Sequence, residues 1–438
     1  MSGLAELLHN LGAEVTGSDP SENALTHRLQ GLGIPIAREH RPENVHGVDV
    51  VVYSSAIKPG NPEFSEALKN KIPLIKRAEA LAELMRLKRG IAVAGTHGKT
   101  TTTSMVSSIL LERGMDPTIV VGGRLEWIQS TAQLGTGEWL VAEADESDGS
   151  FNRLSPEVVV ITNIDTDHLD HYGSFEVLQS AFKEFASRIP FYGAVIVCGD
   201  DEKTFRLFSD FGKKTMTYGF SERNAYPLKE TDTKGVWRFS TPEGEEFLFE
   251  APMPGKHNAL NGLAAILASH QSGLPLSACC QSVSLFRGVD RRFQHKARVR
   301  GVDFYDDYGH HPTEIKAVLR GFKDQFPERR IVIFFQPHRF SRTQICWSEF
   351  LSSFDDADHL YLLDIYPAGE SPIEGISSQK LFEEMKHKSS KLFARDPQGL
   401  LQVLSEIQEG DVVVTLGAGD VYKLNTELAQ GYLQLGNS

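Results

Sequence analysis

The sequence predicts an α/β protein of several domains, and three observations carry that prediction. Strand-like and helix-like segments alternate along the whole chain. The strand-like segments are short apolar runs such as Val158-Val159-Val160-Ile161 and Val412-Val413-Val414, the pattern of strands covered on both faces in a parallel sheet. Several of these runs end in polar residues, which is where open α/β sheets handle their ligands. With 438 residues the chain has room for about two to four domains.

The segments fall into three blocks. The first, residues 1–88, opens with a helix from Ser2 to Leu11. A strand follows over Glu14-Val15-Thr16-Gly17, running into Ser18-Asp19-Pro20, and another over Val48 to Tyr53, running into Ser54-Ser55-Ala56. The second, residues 89–293, places strands at Ile91–Ala94, Trp139–Glu143, Val158–Asn163 and Ala194–Val197. It has helices at Met105–Leu111 and Gly262–Ala268, and a small antiparallel excursion within Lys214–Ala251. The third, residues 294–438, has strands at Val302–Tyr305, Arg330–Phe335, His359–Leu363 and Asp411–Leu416, the last followed by Gly417-Ala418-Gly419-Asp420.

Composition narrows the function classes. Hydrophobic residues make up 40% and charged residues 24%, an ordinary globular balance. The net charge of −13 opposes broad attraction to nucleic acid or an anionic membrane, so no nucleic-acid or membrane partner is expected. A phosphate-bearing ligand has to be captured by local groups against that background. Cys198, Cys279, Cys280 and Cys346 form no Cys-x-x-Cys pattern and read as reduced thiols. No apolar run has the length of a membrane span, and the N-terminus has no signal-peptide pattern. A cytoplasmic location is the expectation.

The most chemically specific run is Gly95-Thr96-His97-Gly98-Lys99-Thr100-Thr101-Thr102, between a strand and a helix. Glycines let backbone N–H groups turn in around phosphate oxygens, and the helix N-terminus adds positive potential. Lys99 reaches terminal phosphates, and the Thr100 hydroxyl suits Mg²⁺. Only two residues separate the glycines, against four in the usual phosphate loop. Downstream, Glu143 opens Glu143-Ala144-Asp145-Glu146-Ser147-Asp148 at a strand end and is the best metal candidate of that group. For Asp145, Glu146 and Asp148 a solvated acidic loop competes. His168 and His171 lie in Thr162–His171, either near a metal or as capping and surface histidines. Asn258 and Asn261 suit an adenine edge, with a helix N-cap the equal alternative for Asn258. Arg291 and Arg292 are either phosphate contacts or surface ion-pair partners. Asp307, His310 and His311 follow one strand of the third block, and His338, Arg339 and Arg342 follow another. Two arginines three apart can grip a carboxylate. Zinc is the rival for the histidines, without a matching spacing.

Taken together, GTHGKTTT, EADESD, TNIDTDHLDHY, GKHNALN, GVDRRFQ, DDYGHHPTEI, QPHRFSRT and LGAGD resemble the Mur ligase family, in the family's order and over almost the whole chain. The resemblance implies three domains. These are a Rossmann-like N-terminal UDP-binding domain, a central P-loop-type ATPase domain, and a C-terminal Rossmann-like domain that admits the amino acid. It implies ATP as co-substrate, Mg²⁺, and L-alanine joined to the lactyl carboxylate of UDP-N-acetylmuramate through an acyl phosphate. DDYGHHPTEI and QPHRFSRT favour this member over one that recycles a tripeptide.

The resemblance also implies roles. Lys99, His168 and Arg292 are catalytic. Gly95, Thr96, His97, Gly98, Lys99, Thr100, Thr101, Asn261, Asp307 and His310 bind ATP. Ser18, Asp19, Ser54 and Ser55 face the UDP moiety, and His338, Arg339 and Arg342 face alanine. Thr100, Glu143 and His168 hold metal. The family pattern begins with a strand and a glycine turn just before Met1, so the first strand of the UDP domain is expected to be missing and binding of the nucleotide sugar to be weak. Lys183 lies near a lysine that sister ligases carbamylate. A monomer or weak homodimer is expected. The competing reading is a nucleotide-binding protein that has lost catalysis.

Overall fold

The computed structural model describes residues 1–54, 57–125, 127, 128 and 130–435. The chain divides into two compact units, one of Met1–Pro252 with Leu260–Arg287, the other of Met253–Ala259 with Gly288–Ser438.

The first unit is built on a ten-stranded sheet. Across it run Glu246–Glu250, Val236–Ser240, Tyr226–Glu230, Thr215–Gly219, Ala194–Cys198, Val158–Ile161, Arg89–Ala94, Trp139–Glu143, Thr118–Leu125 and Ser130–Gln133. From Tyr226–Glu230 to Thr118–Leu125 all neighbours are parallel. Antiparallel strands close both edges, and the expected excursion is the hairpin of Val236–Ser240 with Glu246–Glu250. The central strands are buried on both faces, as their unbroken Val/Ile/Ala runs require.

The early strands are shorter than the sequence suggests. Gly17–Ser18 pairs with Ile36–Ala37, and Val51–Tyr53 with Leu74–Lys76, as two separate parallel pairs. Glu14 to Thr16 fall outside the pairing, and so do Val48 to Val50. Helix Ser2–Asn10 buries Leu4 and Leu7 in the same apolar cluster as Ala92, Ala142 and Phe182. Its buried Glu6 takes a forked pair from Arg28 at 3.1 and 2.6 Å and the Ser130 hydroxyl at 2.8 Å.

Helix Lys99–Glu112 starts six residues before the expected Met105. Threonine and serine are weak helix formers, because their hydroxyls compete for backbone groups. Here those hydroxyls turn back onto their own helix. Thr103 donates to the Lys99 carbonyl at 2.8 Å, Ser104 to Thr100 at 2.6 Å, and Ser107 to Thr103 at 2.8 Å. A helix that satisfies its own hydroxyls can be buried, and Thr100 through Ser107 are all buried. The helix expected at Gly262–Ala268 runs Lys256–His270.

The second unit has a six-stranded sheet. Its order is Gln294–Val299, Val302–Asp307, Val412–Leu416, Ile331–Phe335, His359–Leu362, Ser390–Leu392. Only the first pairing is antiparallel. One face packs on helix Pro312–Gln325 through Ile315, Leu319 and Phe322, the other on helix Tyr422–Leu435 through Leu424 and Leu428. All four cysteines are buried, and none is in a disulfide. Among the described residues no helix is long and apolar enough to cross a membrane.

Candidate active site

In the first unit the loop Gly95–Gly98 joins strand Arg89–Ala94 to helix Lys99–Glu112. Gly95 has φ +133°, and a Cβ there would stand 2.0 Å from Thr162 Oγ1, so only glycine fits. The neighbouring strand end braces the loop. The His97 N–H donates to Asn163 Oδ1 at 2.9 Å, His97 Nε2 meets Asp165 Oδ2 at 3.0 Å, and the Asp165 N–H donates to Thr96 Oγ1 at 2.8 Å. Asn163 and Asp165, both within Thr162–His171, therefore act on the loop itself. Gly98 caps the helix in a left-handed conformation. Thr101 is buried in the first helical turn, and Asn261 Oδ1 accepts the Thr102 hydroxyl at 3.2 Å.

The Lys99 ammonium donates to the Gly95 carbonyl at 2.6 Å, the Thr96 carbonyl at 3.1 Å and Glu146 Oε1 at 2.8 Å. Burial alone would push its pKa down, but the carboxylates of Glu146 and Glu143 outweigh burial and hold it above the ordinary value. Burial pushes Glu146 up to about 7, against the pull of Lys99. The solvated-loop reading of Glu146 is thereby corrected, since its side chain is only 1% exposed. The acidic run hid this because its burial depends on the fold around it. The Thr100 hydroxyl donates to Glu143 Oε2 at 2.8 Å, which also takes the Gly122 N–H at 2.7 Å. His168, at φ +58°, places Nε2 3.8 Å from Glu146 Oε1.

Glu143 and Glu146 thus set two carboxylates near Lys99, with the Thr100 hydroxyl on the first and His168 beside the second. Hydroxyl and carboxylate oxygens are the ligands Mg²⁺ prefers. Glu146 Oε2 is buried with no hydrogen-bond partner among the described residues, an unsatisfied acceptor of the kind a cation can take. Lys183 is exposed on helix Phe175–Ser187. Ser18 gives its hydroxyl to Glu63 Oε2 at 2.7 Å beside His40 Nδ1 at 2.9 Å, and Asp19 accepts the Ser21 N–H at 2.8 Å. Ser54 follows strand Val51–Tyr53, and Ser55 lies outside the described residues.

In the second unit Asp307 ends strand Val302–Asp307 and accepts the N–H groups of Phe293 and Gly309, each at 2.8 Å. Burial pushes its pKa up to about 6, outweighing Arg292 and those two N–H groups. Arg292 lies 3.7 Å from Glu314 and over the Tyr308 ring. His310 donates from Nδ1 to the Tyr308 carbonyl at 3.1 Å, and burial lowers its pKa to about 3.

Arg291, by contrast, is fully committed. It pairs with Asp306 at 2.9 Å, donates to the Gly417 and Gly419 carbonyls, and lies between the rings of Tyr308 and Tyr422. His338 stacks on Tyr366 and accepts from Arg342 at 3.4 Å, and burial lowers its pKa to about 4. Arg339, at φ +70°, anchors its N–H on the Tyr366 carbonyl at 2.8 Å. His311, Cys346 and Glu349 bring one possible metal ligand each within 4.8 Å of one another. His311 Nδ1, however, accepts the Thr313 N–H as a helix cap. That leaves the imidazole hydrogen on Nε2, 3.6 Å from Cys346 Sγ, which is a hydrogen-bond arrangement and not a ligand's.

Fold and site together define an α/β phosphate-loop protein, with lysine, threonine and carboxylate at the loop and a second α/β unit that gathers half-buried His and Arg. The Mur ligase middle domain matches residues 93–269. The Mur ligase glutamate ligase domain matches 291–419, and the Mur ligase family catalytic domain matches 1–89. A UDP-N-acetylmuramate–L-alanine ligase of Bdellovibrio bacteriovorus is 56% identical over 98% of this chain and 95% of its own length. One from Geobacter sulfurreducens is 48% identical over 97% and 93%. Among solved structures, UDP-N-acetylmuramate–alanine ligase MurC of Thermotoga maritima is similar with a TM-score of 0.83 and 28% identity, covering 99% of this chain and 97% of that one. A murein peptide ligase of Psychrobacter arcticus shares the fold at a TM-score of 0.75 and 24% identity over 99% and 96%. The chain belongs to the Mur ligase family.

Proposed function

We propose that this chain is an ATP-dependent ligase that joins L-alanine to the lactyl carboxylate of UDP-N-acetylmuramate, a step of peptidoglycan precursor synthesis in the cytoplasm. The observation that carries the reading is 56% identity to an L-alanine ligase over nearly both full lengths. The Lys99, Thr100 and Glu143 cluster at the glycine loop supports it. The domains are taken as 1–88 for the UDP substrate, 89–293 for ATP and 294–438 for the amino acid, acting as a monomer or weak homodimer.

A carboxylate is a poor electrophile until its oxygen becomes a phosphate leaving group. The γ-phosphoryl of ATP moves to the lactyl carboxylate, ADP leaves, the alanine amine attacks the acyl carbon, and the tetrahedral adduct expels phosphate. Two anions have to meet in the first step, so the site must screen their repulsion. Lys99 supplies a fixed positive charge, the N–H groups at the start of helix Lys99–Glu112, at Thr100 and Thr101, orient the phosphates, and Gly95, Thr96, His97 and Gly98 shape the loop around them. Thr100, Glu143 and His168 would hold Mg²⁺, which when bound neutralises phosphate charge. Arg292 steadies the transferring phosphoryl or the muramoyl carboxylate. Asn261, Asp307 and His310 contact ATP. His338, Arg339 and Arg342 take the alanine carboxylate, and Ser18, Asp19, Ser54 and Ser55 face the UDP moiety.

The test is ADP release with UDP-N-acetylmuramate and each of alanine, serine, glycine and the tripeptide. Alanine should give the highest kcat/KM. Release driven by the tripeptide alone would point to the recycling ligase, and release with no amino acceptor would sink the ligase reading.

A further inference from the structure

An ammonium has three protons, and those of Lys99 are all spent inside the protein. Two go to carbonyls of its own loop and one to Glu146. A phosphate reaching the loop can be met by Lys99 only if one of these acceptors lets go. Glu146 is the one carboxylate among these acceptors, its charge of the same sign as the phosphate's, and it comes from a separate segment of the chain. Its place is fixed. The side chain is 1% exposed, Oε2 is buried without a hydrogen-bond partner among the described residues, and the Glu146 carbonyl takes the Tyr172 hydroxyl. The His168 imidazole lies 3.8 Å from the same carboxylate.

We propose that Glu146 is a positioning residue that acts through Lys99: it latches the lysine while the loop is empty, and a nucleotide phosphate binds by taking the lysine from it. The proposal rests on reading the loop as the ATP site. It makes Glu146 a brake on nucleotide affinity. The measured dissociation constant is the intrinsic one divided by the fraction of loops in which the latch is open.

The test is equilibrium binding of ADP to the full chain, without divalent cation, for wild type, Glu146→Gln, Lys99→Met and the double variant. Glu146→Gln should bind ADP roughly tenfold tighter than wild type. In the Lys99→Met background the same change should alter affinity by less than about twofold, because no lysine is left to hold. Unchanged or weaker binding by Glu146→Gln, with its thermal midpoint preserved, overturns the latch. A gain that persists without Lys99 also overturns it, since plain repulsion between Glu146 and phosphate then accounts for the effect. If Glu146→Gln fails to fold, Glu146→Asp decides. It keeps the charge but draws it back from Nζ, so a latch predicts tighter binding and repulsion predicts none. Wild type that binds no ADP, with or without cation, overturns the ATP-site reading and the latch with it.

Discussion

Two glycine loops in this molecule start from the same local geometry and end in different chemistry. Gly95 follows strand Arg89–Ala94 and Gly417 follows strand Val412–Leu416, both at large positive φ, +133° and +142°. In both, a neighbouring strand end fills the place of a Cβ, Thr162 Oγ1 at 2.0 Å in one and the Gln336 carbonyl at 2.6 Å in the other. The first loop carries its own cation, Lys99, and opens a helix. The second has its carbonyls taken by Arg291 and its Asp420 by Gln336. A glycine turn at a strand end therefore states that the backbone turns sharply. Both turns hold a cation on their own carbonyls; what separates them is that Lys99 belongs to the loop's own helix and shares its protons with Glu146, whereas Arg291 comes from another segment and is fixed by Asp306.

The strongest way to break this contrast is to remove the first cation. Lys99→Met should lower turnover about a thousandfold, read as ADP release at saturating substrates. Its counterpart, Arg291→Ala, should act on stability. The buried Asp306, 2% exposed, is left without its partner, and breaking such a pair costs about 3 kcal/mol. Urea unfolding should show that loss while ADP affinity stays within about twofold. An Arg291→Ala chain of full stability that no longer binds ADP would reverse the assignment.

A third effect sharpens the contrast through pH. Asp307 titrates near 3.8 when unfolded and is pushed up to about 6 when folded. Between those values the folded chain keeps a proton that the unfolded chain has lost, so this group's contribution to stability declines as pH rises through the window and stays low above it. Asp307→Asn removes that decline. Its stability relative to wild type should rise by about 2–3 kcal/mol from pH 3.5 to pH 7, and a flat difference would show that Asp307 is not the group concerned. The smallest effect belongs to the helix behind the first loop. Ser107→Ala should cost about 1 kcal/mol, because the lost hydroxyl bond is local and leaves a carbonyl already bonded in the helix.

Much of this was legible in the residues themselves. Alternating apolar runs gave the α/β class, and Lys99-Thr100 after two glycines marked the loop. Glu143 stands out in the sequence because it ends a strand, a position fixed by local pattern. Glu146 was hidden because nothing within Glu143–Asp148 separates a buried carboxylate from a solvated one. Its burial comes from Lys99 and Tyr172, which lie far along the chain. Arg291 and Arg292 are adjacent and alike on paper, and only the paths of the strands around Gly417 and Tyr308 divide their work. The early start of helix Lys99–Glu112 was missed because propensity counts threonine against a helix, whereas the folded chain lets each hydroxyl find a carbonyl one turn back.

That helix has a consequence for how the protein opens. With Thr100 through Ser107 buried, the first two turns have no solvent-facing side from which to unwind, and only the far end, at Glu112, is exposed. Its amides should exchange with deuterium only when the first unit opens as a whole, and so rank among the slowest in the chain. The floor beneath the phosphate loop would then be the last part of that unit to let solvent in.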